Sequence, residues 1–172
     1  MPCSTLSAEI LRTLPLLSLL SDSEITWLLR TAKRRALPRR TTVLRAGEAP
    51  DGLYIVISGR VRLVHQDQDG HALIAATFGP GELFGEMGLI DATACPASVV
   101  TTEDCDVVFI PRDAAVEFLN TSAAAALGML RTSLERLCRA HRQMASLALT
   151  KVYGRVAGAR CKRTRVLWGM AR

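Results

Sequence analysis

The stretch Leu53-Tyr54-Ile55-Val56-Ile57-Ser58-Gly59-Arg60-Val61-Arg62-Leu63-Val64-His65, continued by Asp67-Gln68-Asp69-Gly70 and Leu73-Ile74-Ala75-Ala76-Thr77-Phe78, decides the fold. Leu53 to Ile57 is rich in β-favouring residues and is closed by Ser58-Gly59. Val61, Leu63 and His65 then alternate with Arg60, Arg62 and Val64, which is the period of a half-buried strand. Asp67 to Gly70 concentrates turn formers, and Leu73 to Phe78 supplies the return strand. Residues 61–78 therefore read as a β-hairpin.

On the N-terminal side, Val43-Leu44 lead into the turn Gly47-Glu48-Ala49-Pro50-Asp51-Gly52. On the C-terminal side, Ala97–Thr101 and Val107–Ile110 are again strand-like. Short strands separated by glycine-rich turns point to an antiparallel roll or barrel, not to a βαβ sheet.

The flanks have a helical period. Leu11, Leu14, Leu17 and Leu20 fall near helical spacing, interrupted by Pro15. A cap at Ser21, Asp22 or Ser23 opens a second short helix carrying Ile25, Leu28 and Leu29. The basic cluster Lys33-Arg34-Arg35 reads as its solvated end. After Pro111, residues Ala114, Ala115, Phe118 and Leu119 mark another short helix, and Thr121 or Ser122 can cap the next.

That last helix runs to about Thr150 without a proline. Ala123, Leu127, Leu130, Leu134, Leu137, His141, Met144 and Ala148 recur at alternating steps of four and three, a coiled-coil seam. A helix of about 28 residues spans roughly 42 Å, too long for a small roll to cover. Its seam calls for a second copy, and a two-fold homodimer is the economical arrangement. His141 reads as a packed interface residue.

Composition bounds the function. With 49% hydrophobic and 22% charged residues the chain has the balance of a soluble globular protein, and no apolar run reaches the ~18 residues of a membrane span. The expected location is the cytoplasm, without membrane contact. The five cysteines, Cys3, Cys95, Cys105, Cys138 and Cys161, form no C-x-x-C pair and read as free buried thiols. Cys95 beside Pro96 reads as inert rather than redox-sensitive.

The net charge of +6 is uneven. Seven basic and no acidic residues follow Thr150, while the first 150 residues hold 15 basic against 16 acidic ones. The tail is thus either a phosphate-binding segment or a solvated end.

Only His65, His71 and His141 are present, so the clustered histidines of a metal enzyme are missing. No nucleophile elbow, Walker loop or H-E-x-x-H occurs. No catalytic or metal-ligating residue is assigned, and the chain is not read as an enzyme. Haem sensing is a minor alternative, with Pro2, His71 or His141 as its candidate ligands.

Three stretches carry a family resemblance. Gly47 to Val61 resembles the first hairpin of a cyclic-nucleotide-binding domain. Gly79-Pro80-Gly81-Glu82-Leu83-Phe84-Gly85-Glu86-Met87-Gly88-Leu89 resembles that family's phosphate-binding cassette. The long helix ending in Leu147 to Val156 resembles the dimer helix and hinge of Crp–Fnr transcription regulators.

The resemblance implies a β-roll of the double-stranded jelly-roll kind, with N-terminal helices and a long C-terminal dimerisation helix. It implies a sensing domain over 1–120, the dimer helix over 121–152, and a hinge and basic tail over 153–172. The implied effector site is Phe84, Gly85, Glu86, Met87, Pro96, Ala97, Ser98, Ala140 and His141. The implied interface is Leu127, Leu130, Leu134, Leu137, His141 and Met144.

Two departures qualify what is carried over. In relatives that bind cyclic AMP, the cassette glutamate, here Glu86, accepts the ribose hydroxyl, and backbone N–H groups beside Gly85 and Met87 face the phosphate. An Arg-Ser pair about ten residues later neutralises that phosphate, and counting ten from Glu86 reaches Pro96-Ala97. Loss of a charge-assisted phosphate contact costs on the order of 1.5–3 kcal/mol, so cyclic AMP is expected to bind weakly or not at all. The ligand is then a cyclic nucleotide or another small effector, with no required cofactor.

The second departure is at the end. About 16 residues follow Val156, too few for the winged helix-turn-helix of full-length relatives, which reads as a truncation or reading-frame change. DNA binding, usual in the family, is not expected of this chain. The alternatives are a stand-alone module that forms mixed dimers with a complete relative, and a cupin-like metal-dependent enzyme.

Overall fold

The computed structural model describes residues 6–14, 17, 20–66, 69, 71–90 and 92–168, with the side chains of 13 and 147–168 excepted. The elements are α1 (Ala8–Thr13), α2 (Asp22–Thr31), β1 (Lys33–Leu37), β2 (Thr42–Leu44), β3 (Gly52–Ser58) and β4 (Val61–Gln66). They continue with β5 (Ala72–Phe78), β6 (Leu83–Phe84), β7 (Ser98–Thr101), β8 (Cys105–Pro111), α3 (Arg112–Thr121) and α4 (Ala123–Trp168). One compact unit ends at Met129 and a second begins at Leu130.

The strands form two antiparallel four-stranded sheets, ordered β1-β8-β3-β6 and β2-β7-β4-β5. Alternation along β3 explains how the first sheet is covered on both faces. Leu53 and Ile55 join Leu28, Ile110 and Phe118 in a cluster under the helices. Tyr54 and Val56 join Val61, Phe78 and Val99 in a second cluster, between the two sheets. A strand buried on both sides reads as continuous apolar sequence, and Leu53 to Val56 is that run. The hairpin of β4 and β5 pairs Val61 with Phe78 and Gln66 with Ala72. Of its expected turn only Asp69 lies within the described residues.

The caps follow from local chemistry. Ser21 and Glu24 form a reciprocal capping box at the start of α2. Pro111 precedes α3, where a missing N–H is harmless. Ser122 is the choice at α4, accepting the Ala125 N–H at 3.0 Å.

Some expectations need correction. Lys33-Arg34-Arg35 is not a helix end but the start of β1, an edge strand paired with β8. Arg34 reaches Asp106 at 2.6 Å, and the Arg35 guanidinium lies 3.3 Å from the Phe109 ring centre. These partners are some 70 residues away in sequence, so the local charge pattern gave no sign of them. The strand expected from Ala97 begins at Ser98. Cys95 and Cys105 are free and buried, whereas Cys138 is free and exposed on α4. The backbone of α4 is helical through Trp168, beyond the expected end near Thr150.

Candidate functional site

The cassette begins where β6 leaves the first sheet. Phe84 ends the strand, paired with Tyr54, and the chain turns at Gly85 and Gly88. Both glycines have positive φ, +91° and +81°. A Cβ on Gly85 would sit 2.6 Å from the Gly52 carbonyl oxygen, and one on Gly88 would sit 2.1 Å from that of Thr93. Glycine is required at both positions by conformation and by space. A single turn closes when the Leu89 N–H donates to the Glu86 carbonyl at 3.1 Å.

The far wall is fixed by the turn between β2 and β3. The Gly47 N–H donates to the Cys95 carbonyl at 2.9 Å, and the Cys95 N–H donates to the Glu48 carbonyl at 2.8 Å. This two-bond clamp holds Cys95-Pro96-Ala97 opposite Gly85-Glu86-Met87. The cavity is about 30 Å³, and Met87, one of the residues that line it, is half exposed.

Of the expected effector residues, Phe84, Gly85, Glu86, Met87, Pro96 and Ala97 line this cavity together. Ser98 is not part of the lining. Its hydroxyl oxygen accepts the Ala46 N–H at 3.0 Å and ties β7 to the same turn. Ala140 and His141 belong to α4 in the second unit, where both are exposed.

Sequence reasoning missed Leu44, Leu63, Phe78, Cys95 and Val99 as lining residues. A signal for part of them existed. Leu63 and Val99 stand directly opposite on paired strands, and Phe78 ends the hairpin already identified. Behind the wall, Tyr54 stacks on Phe84 at 4.9 Å, and Phe84 on Phe78 at 6.3 Å.

The electrostatics of the cavity are one-sided. Among the described residues Glu86 is the one carboxylate in the lining, and no Lys, Arg or His lines it. Burial pushes the Cys95 thiol up from its ordinary value, and the negative charges of Glu86, Asp51 and Glu48 push the same way. A thiol held protonated is a poor nucleophile. Asp51 is partly offset, since Arg35 stands 3.6 Å away and the Tyr54 hydroxyl donates to it at 2.8 Å. Burial, and then the hydrogen bond to Asp51, push the Tyr54 phenol well up.

One arginine secures the end of the cassette. Arg112, first residue of α3, donates from Nε to the Leu89 carbonyl at 2.8 Å and from Nη2 to the Ile90 carbonyl at 3.0 Å. Its own N–H donates to the Asp51 carbonyl at 3.0 Å.

Among the described residues no group of three His, Cys, Asp or Glu side chains could hold a metal ion. His65 and His71 both lie exposed near the β4–β5 hairpin end, and Pro2 is outside the described residues. Among the described residues no helix is long and apolar enough to cross a membrane.

A two-sheet roll with a glycine-turned cassette facing a clamped strand entry is the architecture of a small-ligand sensing domain. The chain belongs to the cyclic nucleotide-binding domain family, whose model matches residues 34–122. It is 34% identical over 120 residues to a CRP-like cAMP-activated global transcriptional regulator of Mycobacterium tuberculosis, covering 70% of this chain and 54% of that one. It is 31% identical over 148 residues to the cyclic AMP receptor protein of Thermus thermophilus, covering 86% and 68%. The chain thus spans between about half and two thirds of the length of these relatives.

Among solved structures, the Thermus thermophilus catabolite activator protein superposes with TM-score 0.67 at 30% identity, over 78% of this chain and 63% of that one. The regulatory subunit of a cAMP-independent protein kinase A from Trypanosoma brucei, in a triply substituted form bound to cAMP, gives 0.65 at 26% identity, over 73% and 45%. The fold is the expected roll with flanking helices and a C-terminal helix.

Proposed function

We propose that this chain is the effector-sensing, dimerising part of a CRP-like transcription regulator, a binding module without catalysis. The cassette cavity is the effector site, and the seam of α4 is the homodimer interface. Leu127, Leu130, Leu134, Leu137 and Met144 are each more than half exposed in the single chain, a row of large apolar side chains at heptad spacing. Such a row on one helix is what a second copy of the same helix covers. His141 falls in the same row and is also exposed.

Cyclic AMP is a poor ligand for this cavity. The observation that carries this reading is a lining that, among the described residues, has one carboxylate and no basic side chain. Pro96 stands in that lining with neither charge nor N–H. The trypanosomal relative is named cAMP-independent, and the form of it bound to cAMP carries an introduced arginine.

Calorimetric titration of the purified chain with cyclic AMP, with cyclic GMP beside it, tests the reading. No heat and no melting shift at millimolar ligand are expected. Micromolar binding of either would show that the phosphate is neutralised from elsewhere, and would overturn it.

A further inference from the structure

Among the described residues the two sheets end in four edge strands, β1 and β6 in the first and β2 and β5 in the second. An edge strand offers a row of N–H and C=O groups to any extended chain laid beside it, and proteins blunt such edges with charge or by keeping them short. Three of these four are blunted in that way. Along β1 run Lys33, Arg34 and Arg35, while β2 is three residues long and β6 two. The fourth is not. Strand β5 is seven residues long, Ala72-Leu73-Ile74-Ala75-Ala76-Thr77-Phe78, without a charge or a proline.

The exposure along β5 selects the kind of cover it takes. Leu73 stands opposite His65 and Ile74 opposite Val64 on β4, so the two are successive residues on opposite faces of the strand. Both are large and apolar, and they are 67% and 49% exposed. A helix or a second sheet laid on one face covers one of them and leaves the other in water. A strand added beside β5 flanks both, and takes up its main-chain groups as well.

The charge pattern selects which strand. Two copies of one strand, paired antiparallel about a two-fold axis, place like side chains close together, and like charges there are repelled. Self-pairing of β1 would gather its own basic residues on one line. Strand β5 has no charge to oppose, and its Leu73 and Ile74 are apolar partners for their own copies.

We propose that β5 is a self-pairing edge: the β5 of a second copy adds to it antiparallel, about a two-fold axis, and joins two β2-β7-β4-β5 sheets edge to edge. This interface is separate from the effector site and from the α4 seam. Two strands of this length make a contact below the roughly 1,200 Å² of a stable interface, so the pairing is weak alone and gains where copies are already linked elsewhere.

Hydrogen exchange of the full chain over a concentration series, with sedimentation equilibrium on the same samples, tests the pairing. It is run on the parent, on the Leu134→Ala and Leu137→Ala double variant that removes the centre of the seam, and on Ile74→Lys and Ile74→Val. Ile74 belongs to neither buried cluster, so its replacement leaves the core in place.

In the parent and in the seam variant, the β5 amides are expected to gain about tenfold protection between dilute and roughly millimolar chain, reversibly and with a rise in mass. Ile74→Lys is expected to lose that gain while exchange in β3 and β8 stays as in the parent. Ile74→Val is expected to keep it.

Protection of β5 that is the same at every concentration and in Ile74→Lys would show the edge covered within its own chain, and would overturn the proposal. Absence of protection at any concentration would overturn it too, and leave the edge to a strand of another protein. Association that does not reverse on dilution, or an Ile74→Lys chain that gains protection as the parent does, would equally refute it.

Discussion

Truncating Leu134 and Leu137 to alanine removes the centre of the α4 seam without touching either buried cluster. Each leucine is 51% exposed in the single chain, so about half of its surface remains to be buried by a partner. Full burial of a leucine side chain is worth about 1.5–3 kcal/mol, which leaves about 1 kcal/mol for each half. Two positions on each of two protomers give about 4 kcal/mol per dimer, or about a thousandfold in the dissociation constant. Alanine is the better helix former, so α4 itself is not weakened. Sedimentation equilibrium over a concentration series reads the constant directly, and far-UV dichroism checks that helix content is retained. A double variant that dimerises as tightly as the parent would refute the seam as the interface. A parent chain that stays monomeric at high micromolar concentration would refute it more directly.

Three further outcomes are expected. Phe118→Ala removes a ring stacked 5.0 Å from Trp27 and bordering a cavity of about 20 Å³, and should cost about 3–5 kcal/mol in urea unfolding with a change in Trp27 fluorescence. Hydrogen bonds from Ser122 and then Ser21 hold the Glu24 carboxyl below its ordinary 4.5. Its contribution is therefore fully present above that value and lost as pH falls through the folded-state value, so Glu24→Gln should flatten the acid limb of a stability–pH curve. Arg112→Gln leaves the Leu89 and Ile90 carbonyls without their charged donor, and hydrogen exchange at the Leu89 amide should speed up; an unchanged rate there would mean the cassette turn holds itself.

How much of this was legible follows from which physical signals are local. The strand period of Val61-Arg62-Leu63, the turn at Asp51-Gly52 and the double burial of Leu53 to Val56 are written in neighbouring residues, and the roll follows from them. The cassette was read from its resemblance to the family's phosphate-binding cassette, and its Gly85 and Gly88 occupy conformations that other residues rarely adopt. What escaped was pairing over distance. Lys33-Arg34-Arg35 looks like any solvated helix end until Asp106 and Phe109 are placed beside it. Cys95 is one scattered cysteine until the clamp to Gly47 and Glu48 puts it in a cavity wall. Pro96 and Ala97, reached by the family's spacing of ten from Glu86, are both in the lining.

The geometry of the cassette and its chemistry rest on different residues, which is why one can persist while the other changes. The turn is shaped by Gly85, Gly88 and the bond from Leu89 to Glu86, and it is anchored to the helices by Arg112. None of these contacts requires a charge at Pro96 or a hydroxyl at Ala97. From Arg112 the chain runs directly into α3, whose Phe118 packs on Trp27 of α2, and Ser122 at its end both caps α4 and bonds Glu24 of α2. The Leu89 and Ile90 carbonyls are thus bonded to the first residue of α3, and α3 ends where α4 begins. The contacts that join the cassette end to α3 and α2 are backbone carbonyls, a cap and a ring stack, and none of them uses a residue that lines the cavity. Under the proposed reading specificity lies in the lining and response in these contacts, so a change at Pro96 or Ala97 alters which ligand is taken without altering the scaffold.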